Sequence, residues 1–254
     1  MEKKQNSHIG DKAPRSGKKR KGSKQRRLRT SLAAIMLALL TLLFLDVSGT
    51  LQKPLHVLAH IQFIPALLAG NLIIVALLVL LTLYFGRVYC SVICPLGLMQ
   101  DVLGRLGKKK KKYRYTYSAA KTVLRWTVFA LFALSLIFGI AAITTLLEPY
   151  SAFGRIMSNI FRPVYMAGNN VLAYLAEQAD SYMFSASDIW IKSALVLGVA
   201  VATFIIIAVL AWRNGRTYCN TICPVGTLLG FLSRFSWLKP VIDTSKCNAC
   251  GLCA

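Results

Sequence analysis

The chain of 254 residues is 56% hydrophobic yet carries a formal net charge of +22. In a water-soluble domain these properties interleave at helical or strand period. Here the charges collect at the N-terminus and in one internal segment, while the apolar residues form runs of about 18 or more. That pattern excludes a large soluble core and predicts an all-α membrane protein with a small appendage.

Residues 1–29 hold twelve Lys/Arg against two acids, Glu2 and Asp11. So polar a segment cannot offset its ordering entropy, and a disordered basic tail is expected. It reads as a positive-inside topogenic signal resting on anionic membrane lipid. Aromatic residues do not interleave with the charges, so nucleic acid is not an expected partner. A small-x-small cleavage site is also missing after the first apolar run, which argues against a secretory signal.

The membrane domain is expected over 30–238. Leu32–Val47 predicts a first spanning helix. Leu51–Ile64, interrupted by Gln52, Lys53, Pro54 and Gln62, predicts a short interfacial or re-entrant piece on the far side of the membrane. His56 and His60 within it share a helix face at i, i+4. That spacing suits a haem, a metal or a quinone hydrogen bond, and equally two interfacial histidines. Pro65–Phe85 predicts the second span, followed by an amphipathic surface helix from Leu96 to Leu106 and five lysines, Lys108 to Lys112. Thr122–Leu147 predicts the third span and Ile189–Trp212 the fourth, with Val225, Leu228, Leu229, Leu232 and Phe235 forming another amphipathic stretch.

The second and fourth apolar runs each deliver the same block. Gly86-Arg87-Val88-Tyr89-Cys90-Ser91-Val92-Ile93-Cys94-Pro95-Leu96-Gly97 returns as Gly215-Arg216-Thr217-Tyr218-Cys219-Asn220-Thr221-Ile222-Cys223-Pro224-Val225-Gly226, with eight of twelve positions identical. The chain therefore divides into two like-oriented halves offset by 129 residues (Gly215 against Gly86), related by an axis along the membrane normal. Such an axis brings Cys90, Cys94, Cys219 and Cys223 together at one membrane surface. Basic residues number twelve in the tail and ten over 86–125, against four in the two opposite loops. Four spans with both termini in the cytoplasm follow, which places all seven cysteines where thiols stay reduced. The expected location is the cell's inner, cytoplasmic membrane.

In each block proline pushes the preceding residue away from the α region and starts a helix, so Cys94 and Cys223 belong at helix N-termini. Free amides there, and nearby Arg87 and Arg216, favour thiolate. The four cysteines can hold a metal or second cluster, cycle as redox thiols, bind a transient metal such as copper, or simply pack.

Residues 239–254 end on Cys247-Asn248-Ala249-Cys250-Gly251-Leu252-Cys253-Ala254. C-x2-C-x2-C opens the bacterial ferredoxin run, whose spacing wraps thiolates round a 4Fe-4S cluster. Cys247, Cys250 and Cys253 are thus candidate cluster ligands at the start of a ferredoxin-like module. The fourth cysteine of that run would lie beyond Ala254, so a C-terminally truncated chain is expected.

Four helices, two C-x3-C-P blocks and the ferredoxin opening resemble the membrane polyferredoxins of the NapH, NosR and CcoG type, over residues from about 30 onward. The resemblance implies ferredoxin-type 4Fe-4S clusters on the cytoplasmic side and a role in electron transfer or metallo-oxidase maturation. The flavin-binding periplasmic domain of NosR-type relatives has no counterpart here. On this reading the chain passes electrons between a quinol or other membrane donor and a redox partner protein, as a quinol dehydrogenase-type subunit rather than a stand-alone enzyme. The rivals are a copper-handling maturation factor for a respiratory metalloenzyme and a membrane subunit that only docks a partner. No acid–base pair, nucleophile triad or phosphate loop stands out in the sequence.

Overall fold

The computed structural model describes residues 24–46, 52–107, 121–178 and 193–238. The described residues are helical, with no strand among them. α1 (Lys24–Leu45) starts within the basic tail and is long because leucine and alanine dominate it. α2 (Gln52–His60) carries Pro54 in its first turn, where a missing N–H costs little. α3 (Phe63–Leu68) follows, then a bend at Gly70 and α4 (Leu72–Phe85). A π-helical turn, Tyr89–Ile93, leads into α5 (Pro95–Leu106).

The second half opens with α6 (Thr122–Ile137), a bend at Gly139, α7 (Ala141–Leu147) and α8 (Pro149–Ile156). A second π-helical turn, Met157–Phe161, joins α8 to α9 (Arg162–Gln178). Then come α10 (Ala194–Asn214), α11 (Thr217–Thr221), α12 (Pro224–Leu232) and a 3-10 turn, Ser233–Phe235.

Among the described residues, two helices are long and apolar enough to cross a bilayer, Arg27–Leu45 and Ala194–Arg213; Leu72–Phe85 and Thr122–Ile137 are apolar but shorter. Only 6% and 17% of the two long spans' apolar windows is buried against protein, so their hydrophobic surface faces outward rather than into a core. Two of the four expected spans differ from the sequence reading. Pro65–Phe85 is not one helix but α3 and α4 with a bend between them. Thr122–Leu147 is likewise split into α6 and α7. In both, a glycine at φ 68° breaks a run whose hydrophobicity alone reads as continuous.

The halves pack reciprocally. α5, which follows the first block, lies along α10, which delivers the second; α12 lies against α4 in return. Within each half the amphipathic helix also touches the half's own first helix, α5 on α1 and α12 on α6. One core contains residues of both halves, among them Leu40, Tyr89, Leu96, Ile207, Tyr218 and Leu229, together with Cys90, Cys94 and Cys223.

Candidate metal centre

The blocks fold alike from the backbone upward. α4 ends at Gly86 and α10 at Gly215, both in the left-handed region (φ 74° and 75°), which a side chain would strain. The reversal swings the chain into the short turn that carries the first cysteine, Cys90 or Cys219. Pro95 and Pro224 then hold the second cysteine extended, Cys94 at φ −71°, ψ 115° and Cys223 at φ −67°, ψ 120°, and begin α5 and α12. Cys94 and Cys223 are therefore N-cap residues, as the C-P pairs predict. The Gly226 N–H donates to Cys223 Sγ at 3.4 Å, and the Leu96 and Gly97 amides are directed at the Cys94 sulfur.

The four block cysteines meet in one buried region with mutually interacting charges, none more than 8% exposed. Gln100 on α5 donates from Nε2 to Cys219 Sγ at 3.3 Å, across the boundary between the halves. Gly97 belongs at the same boundary: a Cβ there would run into the Cys90 carbonyl and sit 3.9 Å from Cys219 Sγ. Gly226 repeats the first constraint against the Cys219 carbonyl.

Helix-terminal amides and nearby arginines favour thiolate, and burial opposes them. Burial pushes all four up, Cys94 to about 12, with neighbouring cysteines adding to the shift at Cys94, Cys219 and Cys223. The cap amides and Arg216 pull the other way and lose. The bare protein keeps these thiols protonated at neutral pH. Their thiolate form belongs with a bound cationic centre that replaces the lost water and displaces the protons.

Among the described residues, no group of three or more His, Cys, Asp or Glu is gathered closely enough to hold a metal ion. A single tetrahedral ion with bonds of about 2.3 Å would draw its sulfurs to within about 4 Å of one another. A four-iron cluster gives each thiolate its own iron and so spaces them wider. Four buried thiols with amide donors on their sulfurs are a donor set of the kind an iron–sulfur cluster takes.

Two cross-braces hold the halves in register. Arg87 donates from Nη1 to Asn220 Oδ1 at 2.8 Å. Arg216 forks onto Asp101, with Nε 2.6 Å from Oδ1 and Nη2 paired to Oδ2. Behind Cys90, the Tyr89 hydroxyl donates to Gln62 Oε1 at 3.0 Å and accepts the Phe63 N–H. The expected re-entrant segment thus folds back onto the block, with Gln62 fully buried. In the second half Glu148 is buried beside Ser151, whose hydroxyl donates to Oε2 at 2.5 Å, while Oε1 has no partner.

A cavity of about 510 Å³ opens between α1 and α5, lined by Ala34, Leu37 and Leu98 with a polar rim of Ser91, Asp101 and Arg105. It comes within one residue of Cys90. The sequence did not mark Gln100 or Asp101, and marked Gln62 only as a break in an apolar run. The repeated Tyr and the closing Gly of each block were visible signals, whereas those three stand outside any repeat.

His56 and His60 both lie on α2, as their spacing predicts, and His60 is half-buried. Cys247, Cys250 and Cys253 lie outside the described residues, so the ferredoxin-like ligand set stays a sequence expectation.

The family model described as a 4Fe-4S binding domain matches the chain twice, over residues 67–114 and 196–242. Each match contains one C-x3-C-P block and ends before Cys247. The chain is 22% identical over 192 residues to the "Putative electron transport protein YccM" of Escherichia coli K12, covering 75% of this chain and 46% of that protein. It is 26% identical over 169 residues to the "Methylamine utilization ferredoxin-type protein MauN" of Paracoccus denitrificans, covering 66% and 47%. Over 201 residues it is 21% identical to the uncharacterized protein MJ0749 of Methanocaldococcus jannaschii, covering 77% and 63%. The chain spans between about half and under two thirds of the length of these curated relatives. No solved structure matches it.

Proposed function

We propose that this chain is a membrane-anchored iron–sulfur electron-transfer protein of the ferredoxin type, with its two blocks facing the cytoplasm. The observation that carries the reading is the meeting of Cys90, Cys94, Cys219 and Cys223 in one buried region, each pair inside a segment matched as a 4Fe-4S binding domain. The two relatives whose names describe a role are an electron transport protein and a ferredoxin-type protein, which agrees with it. A 4Fe-4S cluster would supply one-electron chemistry, and this chain's residues supply its position and surroundings. The block cysteines would ligate it, the cap amides and Gln100 would stabilise sulfur charge, and the Arg87 and Arg216 braces would fix the halves. Cys247, Cys250 and Cys253 would open a second centre toward the redox partner.

Four membrane crossings remain the proposed topology, although α3 folds back beside α4 and α7 beside α6 and neither lengthens its span: the Phe63 N–H meets the Tyr89 hydroxyl, and Ser135 Oγ lies 3.1 Å from Thr144 Oγ1. At about 1.5 Å per residue, the fourteen residues of α4 cover only about 21 Å of a roughly 30 Å core. A quinol-class donor is favoured by the cavity between α1 and α5. Its volume suits a small ring system, most of its lining is apolar, and its polar residues include Ser91 next to Cys90.

The test is anaerobic purification from membranes, with iron and acid-labile sulfide analysis and EPR of the reduced protein. Serine at Cys94 and Cys223 is expected to remove the block cluster's iron and sulfide. Serine at Cys90 and Cys219 is expected to abolish reduction by added quinol. A folded wild-type protein prepared without oxygen and lacking both iron and labile sulfide overturns the proposal.

A further inference from the structure

We propose that Arg87, Arg125 and Arg234 form a binding site for the phosphate of an anionic phospholipid headgroup beside the second block. The inference rests on the membrane reading above.

The repeat itself exposes the site. Shifting by 129 residues carries Arg87 onto Arg216, Arg105 onto Arg234 and Asp101 onto Gly230. The register is sound there, because α5 and α12 both begin with proline at the same block position. In the first half Asp101 neutralises Arg216, and this is the ion pair found among the described residues. The second half has no carboxylate at the matching place. Gly230 leaves a gap instead, and Arg125 fills it: a Cβ at Gly230 would strike Arg125 Nη2, with Arg87 Nη1 3.6 Å away.

The acceptors that these arginines do have are neutral. Arg87 Nη1 donates to the Asn220 amide oxygen, and Arg125 Nη2 donates to the Thr227 carbonyl at 3.0 Å. Arg125 Nε is buried without any partner. The charges of Arg87 and Arg234 both act on Arg125. Three guanidiniums thus share one corner with nothing anionic among the described residues to offset them, while the equivalent corner of the first half holds an acid. Phosphate oxygens match the planar donor fork of a guanidinium better than a point charge does.

The setting selects a lipid as the source. Trp126 packs edge-on to Phe231 at 6.2 Å, and Phe231 to Phe235 at 5.9 Å. Phe231, Phe235 and Trp237 are exposed, the last by 82%. Aromatic side chains beside arginines at the end of an apolar helix mark a bilayer interface, where a headgroup phosphate meets the guanidiniums and acyl chains meet the rings.

The experiment uses the full chain in neutral detergent. Native mass spectrometry and thermal unfolding are compared on addition of phosphatidylglycerol, phosphatidylcholine or inorganic phosphate at equal concentration. Wild type is expected to retain phosphatidylglycerol and to be stabilised by it selectively. R125Q is expected to weaken that binding at least tenfold. G230D keeps all three arginines but supplies the missing carboxylate, and is expected to abolish the preference while the protein stays folded. Glutamine at Arg105, the first-half counterpart of Arg234, is expected to leave it intact. Equal stabilisation by phosphatidylcholine or by inorganic phosphate overturns the proposal, as does a wild-type lipid response in R125Q and G230D. Alkaline carbonate washing of native membranes separates the premises. Release of the chain overturns the membrane reading, whereas retention without a phosphatidylglycerol preference overturns this inference alone.

Discussion

The two halves share a backbone device and differ in what surrounds it. Each runs helix, left-handed glycine, first cysteine, second cysteine as cap, proline, amphipathic helix. Around that device the first half places Gln100 and Asp101 on α5, where the second half places Leu229 and Gly230 on α12. Gln100 and Asp101 reach across to Cys219 and Arg216, so the second block is dressed by residues of the first half. The repeat therefore sets where four sulfurs sit, and the unrepeated residues set how unequal their environments are. If the four sulfurs ligate a cluster as proposed, their asymmetric polar contacts would give an electron different surroundings on its two sides.

The shared device is the part that tolerates least. Alanine at Gly226 or Gly97 drives a methyl into the Cys219 or Cys90 carbonyl, and helix backbone on both sides prevents easy relief. A cost of about 3 kcal/mol is expected for each, at the upper end for overpacking. The approach at Gly226 is the tighter of the two, so its variant should melt lower. Gly198, with open space around its Cβ position, is the control: alanine there should stabilise by about 0.5–1 kcal/mol. Thermal unfolding of the three variants in one detergent checks the order. Equal melting temperatures would show that the close approaches are not as drawn.

The braces should differ by their charge. Asp101→Asn leaves Arg216 without its counter-ion where the two side chains are only 20% and 27% exposed, and about 2 kcal/mol of stability should go. Arg87→Gln removes an exposed hydrogen bond to a neutral amide, and under about 1 kcal/mol should go. Denaturant midpoints of both variants, read with their slopes, test whether the halves are held mainly from the Arg216 side.

What the sequence made legible follows from how local each signal is. The halves, the caps at Cys94 and Cys223 and the two amphipathic helices were all readable, since proline and repeated spacing act within a turn or two. The bends at Gly70 and Gly139 were missed because a hydropathy run does not register one left-handed residue. The Gln62–Tyr89 and Gln100–Cys219 contacts were missed for another reason. Partners 27 and 119 residues apart leave no period in the chain, and only the packing of α3 and α5 creates them. The helix-terminal amides that favour thiolate are visible in a motif, whereas the depth at which the motif is buried, which opposes them, is not.

The smallest expected effect bears most directly on the asymmetry. Gln100 is 1% exposed, donates to Cys219 Sγ, and leaves its Oε1 unpartnered in the core. An amide hydrogen bond on a ligating sulfur stabilises the more negative, reduced state of a bound cluster. Gln100→Leu, which copies Leu229 into the first half, should lower the midpoint potential. If the bond is worth about 1 kcal/mol, the shift is about 40 mV for one electron. Removing an unsatisfied buried oxygen at the same time should leave the melting temperature level or slightly raised. That split, a lower potential without lost stability, separates a tuning residue from a structural one. Redox titration by EPR on the variant and on Leu229→Gln decides it. An unchanged potential in Gln100→Leu would mean that the two sides of the centre are electrostatically alike despite their different neighbours.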